Sequence, residues 1–545
     1  MTNSNNTMRT IKTIATSAFL AVLFFGCGGT AAVLSTPIEN IDTSPLKVSE
    51  LTEAEKHNWG HLDLVKDTIP GMSVDKAYAE IIKTKKGKKV IVAVVDSGID
   101  IDHEDLNEVI WTNKGEIPNN GIDDDKNGYV DDVHGWNFLG DGYDEQLEYV
   151  RILASGDTSN PEYEKAKAEY EKEYQLWSGR KTQYDQIYQR IKSADEALSN
   201  HLNKKDYTKE DVQGIKTDNQ EVTQAVQMMN YMYSNGLDSI KDAYKEIEGA
   251  LESINDKLNY HLNKDFKGRI NGDNPDDMST KYYGNGNVKP VKKSESHGTH
   301  VAGIIASERN DGLGANGVSN NVEIMAVRTV PNGDEYDKDV ALGVYYAVDN
   351  GAKVINMSFG KNYSPNREWV IDAIKYAESK DVLLVHAAGN DHKDIDRSEN
   401  WPNDSLDKIN EVADNVLTIG AMSVNYNENL LATFTNYGQK NVDIFAPGVQ
   451  IYSTIPNNEY ARYSGTSMAS PEVAGVAALV RSYYPQLSAS QVKHIIMNSG
   501  TELDMEVLLP GEKEEKIEFS KLSITGKVAN AYNALVLADK MVNGK

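Results

Sequence analysis

The sequence predicts an α/β protein: a doubly wound, mostly parallel sheet with an α-helical insertion. Three observations carry this. Six apolar runs, at 90–95, 322–330, 354–357, 382–385, 416–419 and 442–445, are rich in Val, Ile and Leu. Strands buried on both faces have this composition, and such burial marks parallel sheets covered by helices. Helical segments at 339–350, 368–380 and 467–484 alternate with them, which gives a doubly wound architecture. The third observation is a break in this rhythm from Gln146 to Asn263, where the chain turns polar and Tyr-rich with no strand pattern.

The chain has 545 residues, and 56 Lys+Arg against 82 Asp+Glu give a formal charge of −26. That charge argues against a nucleic-acid partner, which needs a basic face. One cysteine, Cys27, rules out an intramolecular disulfide and a Cys-based zinc site. Residues 1–27 have the parts of an export signal: Met8-Arg9-Thr10-Ile11-Lys12, an apolar run from Ala18 to Phe25, then Gly26-Cys27. Counting from Met8 makes this signal more compact. The apolar run is too short for a permanent span. A small residue directly before the only cysteine resembles a bacterial lipoprotein signal, with Phe24 departing from its usual Leu. The resemblance implies lipidation of Cys27 and an exported protein held on a membrane.

Residues 28–46 are small and polar and suit a tether. The globular body then divides into a first part at 47–143, the helical insertion at 144–265 and a second part at 266–545. Within the insertion, Ile187, Ile191, Ala194, Leu198 and Leu202 form one helical stripe. Ile240, Tyr244, Ile247, Leu251, Ile254 and Leu258 form another. Such single-face stripes predict an antiparallel bundle of about three helices. Ser159-Asn160-Pro161 marks an expected helix start.

Three segments carry chemistry. An apolar strand ends in Asp96-Ser97-Gly98, the end at which open α/β sheets place reactive groups. His297-Gly298-Thr299-His300-Val301-Ala302-Gly303 opens a helix with an apolar face. In Gly465-Thr466-Ser467-Met468-Ala469-Ser470-Pro471 a serine begins a helix of small residues, with Pro471 expected in the first turn. A serine hydroxyl becomes a useful nucleophile when an imidazole takes its proton and a carboxylate orients that imidazole. Taken singly, Asp96 could cap a turn, Ser467 could cap a helix, and His297 with His300 could bind a metal. Together, in the order Asp, His, Ser, they match one known arrangement of such a triad.

On these motifs the chain resembles the subtilisin-like (subtilase) serine proteases over about 59–143 and 268–538. The resemblance implies an endopeptidase forming an acyl-enzyme on Ser467, with His297 as general base and then acid, and Asp96 orienting it. His300 would be a structural neighbour. Val385-His386-Ala387-Ala388-Gly389-Asn390 matches the segment whose asparagine donates to the oxyanion, so Asn390 takes that role. Ser358, Phe359 and Gly360 would form one wall of the substrate pocket, and Ala388, Gly389 and Asn390 the other. The first wall would also pair with an extended peptide, so protein or peptide substrates are expected. Largely small or apolar walls favour apolar side chains over charged ones.

Asp123-Asp124-Asp125-Lys126-Asn127-Gly128 fits D-x-[DN]-x-[DN]-G, a loop that aims oxygens at a hard cation. The expected calcium ligands are Asp123, Asp125, Asn127, the Tyr129 carbonyl and Asp131 or Asp132. His134 stands where an EF-hand has its bidentate Glu, and no helix pair flanks the loop. Asp105 and Asn310 lie near another calcium position that the resemblance implies.

Asp96 and His297 are 201 residues apart, far more than is usual in the family, and the acidic loop and helical insertion fill the gap. The insertion is expected near a rim of the cleft, as a lid, a restraint on substrate size or a docking arm for a partner. A surface-binding lipoprotein that uses this arm on a degenerate protease scaffold is the rival reading. The span between Cys27 and Trp59 leaves no room for an inhibitory prodomain.

Overall fold

The computed structural model describes Lys47 and residues 49–544. Cys27, the signal segment and the tether lie outside the described residues.

The described residues form thirteen strands: β1 (Val90–Asp96), β2 (Gly135–Asn137), β3 (Val322–Arg328), β4 (Val354–Met357), β5 (Leu383–Ala387), β6 (Val416–Met422), β7 (Ile444–Pro447), β8 (Ile451–Ile455), β9 (Glu459–Tyr463), β10 (Thr501–Glu502), β11 (Glu506–Leu508), β12 (Lys516–Glu518) and β13 (Lys527–Val528). Nine make one sheet in the order β10-β13-β7-β6-β5-β4-β1-β3-β2. Its pairs are parallel except β10 with β13 at one edge. All six expected runs enter this sheet, 354–357 with the same bounds and the other five with ends shifted by a few residues. The short edge strands and the β8–β9 and β11–β12 hairpins were not expected.

β1 shows why the sheet is doubly wound. Val90, Val92 and Val94 pack into one buried cluster, Ala93 and Val95 into another. With period two, one strand thereby serves cores on both faces. The first core holds the helices His297–Ala306 and Thr466–Tyr483, and the second holds Asp337–Asp349 and Arg367–Ser379. Asp96, His297 and Ser467 stand where β1 ends and these two first-core helices begin.

The stretch that interrupts the α/β rhythm is helical. It contains Glu148–Ala154, a 40-residue helix Tyr163–Leu202, Gln220–Ser234 and Ile240–Asp256. Ile191, Ala194 and Leu198 of the long helix are buried against Met229, Ala243 and Ile247 in a core of their own. The long helix begins at Tyr163, two residues after Pro161, because Asn160 Oδ1 accepts from the Glu162 N–H at 2.8 Å and closes a turn there.

Candidate active site

Asp96 closes β1 and is fully buried. Its backbone carbonyl accepts from Thr329 N and Val330 N at 2.9 and 3.1 Å, which stitches the strand end to the chain leaving β3. Its Oδ1 accepts from Ser97 N and lies 2.7 Å from each of that nitrogen and His297 Nδ1. Asp96 Oδ2 is buried with no hydrogen-bond partner. His297 is the first residue of its helix and keeps 39 % of its side chain exposed, so its other ring nitrogen can exchange a proton. Desolvation lowers the imidazole pKa, but the charge of Asp96 and its hydrogen bond outweigh this, and the net shift is upward. His300, stacked on Tyr463 with ring centroids 4.4 Å apart, is pushed down to about 3 by burial and stays neutral.

Sequence reasoning missed what locks these two motifs together. Gly298 N donates to Ser97 Oγ at 2.9 Å, and Gly98 N to Glu295 Oε1 at 2.8 Å. Glu295 is paired with Arg328, which is fully buried and also donates to Asn137 Oδ1, Gly140 O and Gly142 O. A buried arginine with this many acceptors leaves little desolvation cost uncompensated.

Ser467 lies in the first turn of the helix Thr466–Tyr483. Its hydroxyl donates to the Ser358 carbonyl at 2.9 Å, and the Ser358 hydroxyl donates to the Ser467 carbonyl at 2.9 Å. Pro471 is inside this helix, beyond the first turn where it was expected. The structure supplies the compensation: Ser467 O would normally take the N–H four residues on, which Pro471 lacks, and Ser358 fills that place. Asn356 Nδ2 donates to Ser358 Oγ at 2.9 Å, and Ser470 Oγ to Asn356 Oδ1 at 2.8 Å, so the arrangement is braced from beneath.

Asn390 Oδ1 accepts from both Thr466 N and Thr466 Oγ1, at 2.9 and 3.0 Å. With the oxygen so engaged, the Nδ2 donors are turned outward. A Cβ placed on Gly465 would sit 3.5 Å from Asn390 Nδ2 and 3.6 Å from Ser467 N, so both donors border one small space. Gly389, at φ +100°, is required as glycine, because a Cβ would come 2.4 Å from Asn436 Nδ2. Asn436 holds this loop by donating to Ala388 O and accepting from Asp391 N and Lys393 N. No local motif announces Asn436 or Thr466 as loop anchors.

A cleft of about 810 Å³ opens beside Ser467. Phe359, Gly360, Gly389 and Asn390 line it, together with Ala387. Ser358 and Ala388 are buried behind that surface, where their backbone and hydroxyl groups hold the walls in place. His386 donates Nε2–H to Phe359 O at 2.8 Å; burial holds its pKa down at about 4, so the ring stays neutral. The insertion also reaches the cleft, through Leu147, Tyr149, Glu169, Lys172 and Glu173.

In the acidic loop, carboxylate oxygens of Asp123, Asp125 and Glu116 come within 4.8 Å of one another. Glu116 was not expected. Its Oε1 accepts from Asp124 N and Asp125 N, which draws it into the loop. Asn127 donates Nδ2–H to Asp125 and Asp132, and Gly128 sits at φ +99° under the Tyr282 ring. The Tyr129 side chain packs edge-on to Trp136 and Tyr346. The Asp131 carboxylate is turned away to accept from Asn120 N and Gly121 N. Asp105 accepts from Glu308 N and Ala315 N, and Asn310 N donates to Asn316, so these two are engaged separately. Among the described residues, Glu116, Asp123 and Asp125 are the one such cluster found.

Comparison with known proteins gives a consistent picture. The family model described as the subtilase family matches residues 87–514. A thermophilic serine proteinase from Bacillus sp. (strain AK1) is 43% identical over 34% of this chain and 43% of its own length. Subtilisin DY from Bacillus licheniformis is 38% identical over 38% of this chain and 71% of its own length. Alkaline elastase YaB from Bacillus sp. (strain YaB) is 36% identical over 39% of this chain and 52% of its own. The chain therefore spans about half of two of these relatives and more of the third. Given a family match that covers most of its length, an Asp96–His297 pair and a Ser467 that shares its cleft with Asn390, the chain belongs to the subtilase family.

Proposed function

We propose that this subtilase is a serine endopeptidase that cleaves extended protein or peptide chains through an acyl-enzyme on Ser467. The observation that carries this is the 2.7 Å Asp96–His297 hydrogen bond, joined to an Asn390 amide whose oxygen is already engaged. A substrate strand lies along Ser358–Gly360 with its carbonyl carbon against Ser467. The Ser467 hydroxyl leaves its Ser358 acceptor, attacks that carbon and gives its proton to His297 Nε2. Asp96 stabilises the imidazolium through Nδ1–H. Negative charge on the former carbonyl oxygen is met by Asn390 Nδ2–H and Ser467 N–H. His297 then protonates the leaving amine, the C–N bond breaks, and water activated by the same imidazole hydrolyses the ester. Wild-type protein should cleave an unfolded protein such as reduced casein. Ser467→Ala should lose that cleavage while keeping the circular-dichroism spectrum of the folded protein; cleavage retained by Ser467→Ala would refute the reading.

The donor chemistry at Glu116, Asp123 and Asp125, all carboxylate oxygen, fits a hard cation, and we assign calcium there in a structural role. Glu116, Asp123 and Asp125 would hold the ion, which would supply positive charge to offset the three carboxylates and steady the loop. EGTA should lower the melting temperature of wild type, and Asp123→Asn should remove that sensitivity. We further propose that the protein is exported and anchored through lipid on Cys27, a reading supported by the Gly26-Cys27 signal pattern. Palmitate incorporation lost in Cys27→Ser is the result expected.

A further inference from the structure

The helical insertion is bolted to the cleft rather than hinged over it. Lys361, next to Gly360 of the pocket wall, is buried and pairs with Glu148 of the insertion at 2.8 Å and with Asp337 at 2.9 Å. Arg151 of the same insertion helix donates to the backbone carbonyls of Asp334 and Glu335 at 2.8 and 3.1 Å. Tyr363, also buried, donates to Glu169 Oε2 at 2.7 Å. The first contacts fix the helix Glu148–Ala154 to the body and the Tyr363 bond ties down the long helix, whose Glu169 and Glu173, one turn apart, line the cleft that contains Ser467.

The charge on this wall is only partly offset by its neighbours: Trp177 Nε1 donates to Glu173 Oε2 at 3.2 Å, and Lys257 acts on Glu173 through its charge. Lys172 is 81 % exposed and reaches Glu173 only at 4.0 Å. Lys361 is committed to Glu148 and Asp337, and Lys393 lies against Asp391 and Asn362. Glu335, in the lining of the same cleft, is 2 % exposed, and its Oε1 has no hydrogen-bond partner. Lys361 lies near this carboxyl, yet burial pushes it up to about 8, so its charged form is favoured only when a further cation reaches it.

We propose that the insertion is a specificity element: Glu169 and Glu173, with Glu335 in the same lining, select a Lys or Arg side chain of the substrate on the acyl side of the scissile bond. The acyl side follows from the lining, since this part of the cleft is continuous with Phe359, Gly360 and Gly389. The inference rests on the endopeptidase reading and adds a basic preference to walls whose local sequence favours apolar groups.

Internally quenched peptides carrying Lys, Ala or Glu in turn at each position before the cleaved bond test it. At one position wild type should prefer Lys over Ala. Glu169→Gln combined with Glu173→Gln should cut that Lys-to-Ala ratio in kcat/KM by about tenfold, as loss of a part-buried charge pair would. Glu169→Lys with Glu173→Lys should reverse it toward Glu. Circular dichroism checks that both variants fold. Equal cleavage of all peptides by wild type, or a ratio unmoved in the variants, overturns the proposal and leaves the endopeptidase reading intact. A wild type that cleaves none of the peptides and ignores a fluorophosphonate probe refutes the endopeptidase reading instead.

Discussion

Ser358 and Ser467 hold each other through two hydrogen bonds of opposite sense, each 2.9 Å long. One of them completes a helix that Pro471 leaves short of a donor. The pocket wall and the nucleophile helix are thereby one unit. Ser358→Ala should strand the Ser467 carbonyl and cost about 1–3 kcal/mol, the usual penalty for a buried unpaired polar group. Pro471→Ala restores an N–H at the right place. Chemical denaturation of both single variants and the double variant should show the second change recovering part of the loss.

Asn390 is aimed by Thr466. Asn390→Leu should lower kcat on the order of a hundredfold or more with little change in KM, the size such a donor carries in subtilisin, a member of this family. Thr466→Val removes one of the two bonds to Asn390 Oδ1 and should lower kcat by a smaller factor, with Thr466→Ser restoring it. Steady-state kinetics on one peptide separates these outcomes.

The His297 shift has a sign in both activity and stability. Only the neutral imidazole accepts the Ser467 proton, and desolvation is outweighed by Asp96, so the acid limb of kcat/KM should have its midpoint above pH 6.5. Asp96→Asn should move that midpoint down. For stability the direction is opposite: a raised folded-state pKa means the Asp96–imidazolium attraction is fully present below pH 6.5 and fades as pH rises through the folded value. A pH series of kcat/KM for wild type and Asp96→Asn checks the shift.

Burial pushes the Glu148 carboxyl up, but Arg151 and Lys361 push harder, down to about 2. Its contribution to stability is present above pH 4.5 and should be lost as pH falls toward 2. Lys361→Met leaves Glu148 and Asp337 buried without that cation and should cost about 3–5 kcal/mol. Thermal melts at neutral pH measure the loss, and limited proteolysis should show new cuts where the insertion joins the body.

Much of this was legible in residues that are neighbours in sequence. Asp96, His297, Asn390 and Ser467 each sit in a short motif at the end of an element, and their local patterns suffice to find them. The supports were hidden because they act across the fold. Arg328 and Glu295 are 33 positions apart, and neither looks unusual alone. Glu116 joins Asp123 only through a turn, while Asp131 follows the loop in sequence yet caps the backbone at 120–121. β2 is three residues, Gly-Trp-Asn, and shows no alternation. β9 is only half-buried and carries Glu459 and Arg462, so its pattern gave no apolar run. The insertion's stripes were visible, but its grip on the cleft runs through Lys361 and Tyr363, which belong to the protease body.

The most direct test is peptide mapping by mass spectrometry after reaction with a fluorophosphonate probe. The account predicts one adduct, on Ser467, absent in Ser467→Ala and formed far more slowly in His297→Ala. An unlabelled wild type beside a labelled control subtilase, or an adduct on any other residue, would contradict it.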